Sequence, residues 1–84
     1  MTRDVAREKL RVFLVDELGV REELLQDDTA LMDAGLIDSL GVVEIVAFCE
    51  ESLGCMVPPE EIAPDAFRSL ASLADSAVER WHAG

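Results

Sequence analysis

The chain has 84 residues, 18 of them acidic and 7 basic, for a net charge of -11; 50% are apolar and 5% aromatic. That length supports one domain over residues 1–84, and the apolar share excludes a disordered acidic tail. The charge disfavours nucleic acid and anionic membranes as partners, and no apolar run reaches the roughly 18–20 residues of a membrane span.

In chain order, Ala6, Leu10, Phe13, Leu14 and Leu18 recur at helical spacing and predict a helix from about Arg3 to Leu18, stopped by Gly19. Residues 20–38 read as a long connection with a short turn near Glu22–Leu25, and its apolar Leu31, Met32, Leu36 and Ile37 predict packing on the core. A structured loop of that length in so small a domain suggests function. Asp38 is a good N-cap for a second helix opening at Ser39 and running to about Leu53, with Gly54 as its stop. Val57-Pro58-Pro59-Glu60-Glu61 reads as a short helix start that Pro64 ends. Ser69 is the expected N-cap of a last helix from Leu70 to about Trp81, with Leu70, Leu73, Ala74, Ala77, Val78 and Trp81 as its buried stripe. The fold class is therefore all-α: a small four-helix bundle of three main helices and one short one, with a long first loop.

At about 100° per residue, Val42, Ile45, Val46, Cys49 and Leu53 form the core stripe of the second helix, while Leu40, Val43 and Ala47 cluster roughly 130° away. A domain of this size rarely buries both sides of one helix. The second cluster, bordered by Glu44 and Glu51, is expected to be exposed, which is the composition of a transient docking site. The competing expectation is that the first loop folds over it. From Glu22 to Ala66 there is no Lys or Arg, whereas Arg3, Arg7, Lys9 and Arg11 crowd the first segment. Such one-sign density is either a solubility face or a surface that a basic partner neutralises.

Ser39 opens the second helix just after the loop, and because Asp38 already supplies the cap, its hydroxyl is expected to be exposed. A phosphate there would meet free backbone N–H groups and the positive helix end, so the position suits an O-linked phosphodiester. Asp38 is placed to orient the hydroxyl for a modifying enzyme or to help bind a metal ion during modification.

Gly35-Leu36-Ile37-Asp38-Ser39-Leu40, with Val43-Glu44-Ile45-Val46, Glu50-Glu51, Val57-Pro58-Pro59-Glu60-Glu61 and Phe67-Arg68-Ser69-Leu70, resembles an acyl carrier protein over nearly the whole chain. The resemblance implies the acyl-carrier-type bundle and a 4'-phosphopantetheine arm on Ser39, attached by a phosphopantetheinyl transferase from coenzyme A. It implies a non-catalytic carrier that presents thioester-bound intermediates to loading ligases, acyltransferases and synthases with basic docking faces. Leu40, Val43, Glu44, Ala47, Glu50 and Glu51 would be the partner-recognition residues. Val42, Ile45, Val46, Cys49, Val57 and Ile62 would line a cargo cleft. The glycine before Asp-Ser lies one place earlier than in fatty-acid carriers, Gly41 stands where an acid is usual, and the Pro58–Phe67 segment is longer. These features are more similar to D-alanyl carriers and to discrete carriers of polyketide or nonribosomal pathways, so a discrete carrier of specialised, antibiotic-type biosynthesis is expected, with aminoacyl cargo ahead of fatty acyl.

Other chemistry finds little support. The single His82 lies close to the C-terminus, where it is expected to fray, and there is no Gly-x-Ser-x-Gly elbow. Cys49 reads as core filler, and Cys55, in a turn, is expected to be partly exposed; neither has metal spacing. Asp27 to Asp38 lacks the glycine and ligands of a calcium loop. Trp81 reads either as an interface anchor or as the residue closing the core edge. Met1-Thr2-Arg3-Asp4 lacks a signal core and two cysteines make no disulfide framework, so a reduced, cytoplasmic, monomeric protein is expected, and Met1 with the short tail after Trp81 reads as a complete chain. The alternative from another class is an unmodified acidic docking domain that binds a basic protein partner.

Overall fold

In the computed structural model, which describes residues 1–63 and 65–82, Thr2 opens the first helix by accepting the Val5 N–H at 3.2 Å. The described elements are α1 (Arg3–Asp16), α2 (Ser39–Ser52) and α3 (Leu70–Glu79), with single 3₁₀ turns at Glu22–Leu24 and Pro59–Glu61. Among the described residues no named strand occurs; one isolated antiparallel bridge pairs Cys55 with His82. The chain is thus the all-helical bundle expected, with the short helix reduced to one 3₁₀ turn. The expected stop at Pro64 lies outside the described residues.

Helix ends follow local chemistry. Gly19 at φ +72° reverses the chain so that the Val20 N–H reaches Leu14 O at 3.0 Å, and α1 ends two residues short of Leu18. Gly54 at φ +68° does the same for α2, with the Cys55 N–H on Cys49 O at 3.0 Å. Ser69 caps α3 in a reciprocal box: Ser69 Oγ accepts the Ser72 N–H at 3.1 Å and Ser72 Oγ accepts the Ser69 N–H at 3.0 Å. α3 closes at Glu79, short of the expected Trp81.

α1 packs along α3, and the core between the helices is built from Leu10, Leu14, Ile45, Cys49, Leu70 and Leu73, all fully buried. Trp81 closes the edge of this core at 1% exposure, its ring 5.6 Å from Phe67. Its Nε1 donates to Glu61 Oε1 at 3.3 Å, and Arg80 pairs with the same carboxylate at 3.0 Å, tying the Pro59–Glu61 turn to the end of α3. His82 is not frayed: its backbone is held in the bridge to Cys55.

The long first loop is stitched down. Val20, Leu25, Leu31 and Ile37 are buried, the Leu31 N–H bonds Arg68 O and the Ala71 N–H bonds Asp27 O, each at 2.9 Å. Met32, expected in the core, is 40% exposed. The crowding of bases in α1 finds its reason here. Arg7 pairs with Asp27 at 3.6 Å, Arg11 with Glu22 at 2.7 Å, and Arg3 with Asp75 of α3. Each exposed pair contributes little alone; among the described residues none of these bases reaches an acid of α2.

Cys55 corrects the sequence expectation. It is buried, with Sγ 3.6 Å from Ala77 O, because the chain reversal at Gly54 turns it beneath α3. Burial pushes the Cys49 thiol up to about 12 and raises that of Cys55 as well. Unfolded thiols release their protons near pH 8.5. Above that pH the unfolded chain has lost protons that the folded chain still holds, so stability is complete below about pH 8.5 and falls as pH rises. The expected slope is at most ~1.4 kcal/mol per pH unit for each thiol. Urea unfolding between about pH 7.5 and pH 10 should show a steeper loss in the wild type than in Cys49→Ala; equal slopes would contradict burial of the protonated thiol.

Candidate functional site at the start of helix α2

The site is prepared by the loop that precedes it. Leu31 O accepts the N–H groups of both Leu36 and Ile37, at 2.9 and 3.2 Å, around a turn in which Gly35 takes φ +74°. Ile37 is then buried against the first turn of α2. Gly41 allows that approach: a Cβ there would stand 3.1 Å from Ile37 Cβ. A side chain in place of this glycine would press on Ile37.

Asp38 follows in extended conformation, and its Oδ1 accepts the Gly41 N–H at 2.9 Å. This capping bond decides what Ser39 is free to do. At α3 the serine is itself the cap and its hydroxyl is engaged. At α2 the aspartate fills that role, and Ser39, the first helical residue, is exposed. Among the described residues its hydroxyl has no hydrogen-bond partner. The N–H groups at the start of a helix lack intrahelical partners, so an anion on the Ser39 oxygen meets donors and the positive end of the dipole. The free hydroxyl and the donor set around it suit a phosphodiester.

Beside Ser39 opens a cleft of about 270 Å³ whose walls include Met32, Val42, Val43, Ile62 and Phe67. Of the residues placed in a cargo cleft by resemblance, Val42 and Ile62 stand in this wall. Val46 is half-buried against the core, while Ile45, Cys49 and Val57 lie inside it. These three are packed in the core, so the open cleft beside Ser39 takes in only Val42 and Ile62 of the six.

The residues expected to meet partners, Leu40, Val43, Glu44, Ala47, Glu50 and Glu51, are all exposed. Leu40 and Val43 stand out at 65% and 61%, and the loop does not cover them. Glu50 also serves the fold itself, since its Oε2 accepts the Val57 N–H at 3.2 Å. Sequence reasoning passed over Phe48, whose ring stacks on Phe13 at a centroid separation of 4.4 Å; its position between the two stripes of α2 was the available signal. It also passed over Met32 and Phe67 as cleft walls. Among the described residues no cluster of His, Cys, Asp and Glu could hold a metal ion.

Removing the cap in Asp38→Ala should cost about 1 kcal/mol in urea unfolding. Gly41→Val should cost about 1–3 kcal/mol by pressing on Ile37. A Gly41→Val protein as stable as the wild type would contradict the close packing of loop on helix.

Residues 8–76 match the family model described as the phosphopantetheine attachment site. The chain is also similar to the D-alanyl carrier proteins of two Streptococcus pyogenes strains, Manfredo and NZ131. Each is 30% identical over 76 residues, an overlap of 90% of this chain and 96% of the relative.

Proposed function

The chain belongs to the phosphopantetheine-binding acyl carrier protein family, and on that premise we propose that Ser39 is the residue bearing the arm, with Asp38 fixing its geometry. Proteins of this family carry 4'-phosphopantetheine covalently, and the chain is accordingly a non-catalytic carrier. When attached, the group supplies a terminal thiol that holds acyl groups as thioesters.

The observation that carries the assignment to Ser39 is its free hydroxyl on a helix whose cap is already supplied by Asp38. A transferase can approach this oxygen from solvent, and the unpaired N–H groups of the first turn stabilise the anionic ester. The exposed Leu40 and Val43 flank it, offering apolar anchors to whichever enzyme reads the arm. A tethered substrate reaches partner active sites at high effective concentration.

The cargo we propose is aminoacyl, held by a discrete carrier in a polyketide or nonribosomal type of pathway in the cytoplasm. D-alanyl carriers among its relatives support the cargo class. So does the shallow cleft beside Ser39: with Ile45, Cys49 and Phe67 closed in the core, a short polar cargo stays in solvent at little cost, whereas a long acyl chain would have to displace packed side chains. Partners would be a phosphopantetheinyl transferase, an aminoacyl-loading ligase and the enzymes that consume the thioester. Among the described residues no helix is long and apolar enough to cross a membrane.

Incubation with coenzyme A and a promiscuous phosphopantetheinyl transferase should add one phosphopantetheine mass to the wild type and none to Ser39→Ala, read by intact-protein mass spectrometry. An unmodified wild type, beside a control carrier that is modified, would overturn the assignment. So would an equally modified Ser39→Ala.

A further inference from the structure

We propose that the groove between α1 and α2 is a second docking surface, and that its occupant is a basic amphipathic helix of a partner protein. The groove has a volume of about 810 Å³ and lies on the side of α2 away from the cleft at Ser39. Its floor is the stacked pair Phe13 and Phe48, both half-buried, with exposed Val12 (45%) and Ala47 beside them. These two rings bridge α1 and α2, and both keep part of their surface exposed.

The rim is mainly acidic. Glu8 and Asp16 stand on α1, Glu44 and Glu51 on α2, and Lys9 is the single base among the lining residues. Arg3 and Arg7 of α1 pair with α3 and the loop, and Arg11 pairs with Glu22 of the loop and, at 4.0 Å, with Glu8. Asp16, Glu44 and Glu51 have no ion pair among the described residues. An apolar floor beside these three unpaired acids is complementary to a helix with an apolar stripe and flanking Lys or Arg. A second copy of the chain, with net charge -11, would bring like charge to like. The α1 wall runs from Glu8 to Asp16, about 12 Å at 1.5 Å per residue, enough for roughly two helical turns of an occupant.

The groove rests on the carrier reading only in making that partner an enzyme of the pathway; its chemistry stands without Ser39. It shares Glu44, Ala47 and Glu51 with the recognition face of α2 and adds Val12, Phe13 and Asp16 from α1. An enzyme could therefore grip this groove while the arm, on another side of α2, enters its active site.

The test uses the full chain, loaded with phosphopantetheine, and a synthetic amphipathic peptide of about 12 residues with Leu on one face and Lys on the other, beside a control with Glu for Lys. Titration at ~0.15 M salt, followed by amide chemical shifts, should move Val12, Phe13, Asp16, Ala47 and Phe48 with the Lys peptide and leave them still with the Glu peptide. Val12→Glu should weaken binding at least ~10-fold, as should Asp16→Lys with the fold intact by circular dichroism, while Met56→Glu, at an exposed apolar residue elsewhere, should leave it within about twofold. Shifts centred on Leu40 and Val43, diffuse shifts over all acids, or undiminished binding by both Val12→Glu and Asp16→Lys would overturn the proposal. A wild type that takes up no phosphopantetheine would sink the carrier reading instead, and the same titration on the unmodified chain would still judge the groove.

Discussion

A single hydrogen bond, from the Gly41 N–H to the Asp38 carboxylate at 2.9 Å, decides the character of this molecule's working end. Serine and aspartate are both good N-caps, and either could have begun α2. With the aspartate in the capping position, the serine is moved one residue into the helix, where its hydroxyl meets solvent and the positive end of the dipole. The same register brings Gly41 under Ile37, so the loop can press its apolar side chain onto the helix. The loop that delivers Asp38 is held by Leu31, which is both the acceptor for its turn and a buried anchor.

Charge is partitioned around that point. The arginines of α1 pair with Glu22 and Asp27 of the loop, with Asp75 of α3 and with Glu8 of their own helix. The acids on the outer face of α2 are left without such partners and surround exposed Leu40, Val43 and Ala47. A surface of this kind attracts basic partners quickly and releases them readily, because exposed charge sets encounter rate more than residence time. Rapid exchange is what a carrier visiting several enzymes needs.

The features legible in the sequence were those determined within a turn or two of chain. The starts of the second and third helices at Asp38 and Ser69 follow from capping chemistry, and the stops at Gly19 and Gly54 from left-handed glycines. The two faces of α2 followed from periodicity, and Leu40 and Val43 are exposed as expected. What escaped was decided by distant contacts. Cys55 looks like a turn residue, yet the approach of Ala77 and the bridge to His82 bury it. Ile45 and Cys49 are buried on the core stripe that periodicity gave them, whereas Val57, outside any helix, is buried by the cluster it packs into. Phe13 and Phe48 lie far apart in sequence, so their stacking, and the groove above it, could not be read from either helix alone.

The most direct measurement is fragmentation mass spectrometry of peptides from the protein after loading by a phosphopantetheinyl transferase. A modified peptide whose fragments place the phosphopantetheine on Ser39 is the expected result. The same mass located on Ser52, the other exposed serine of α2, or on any residue besides Ser39, would contradict the claim that the aspartate-capped helix start is the attachment point.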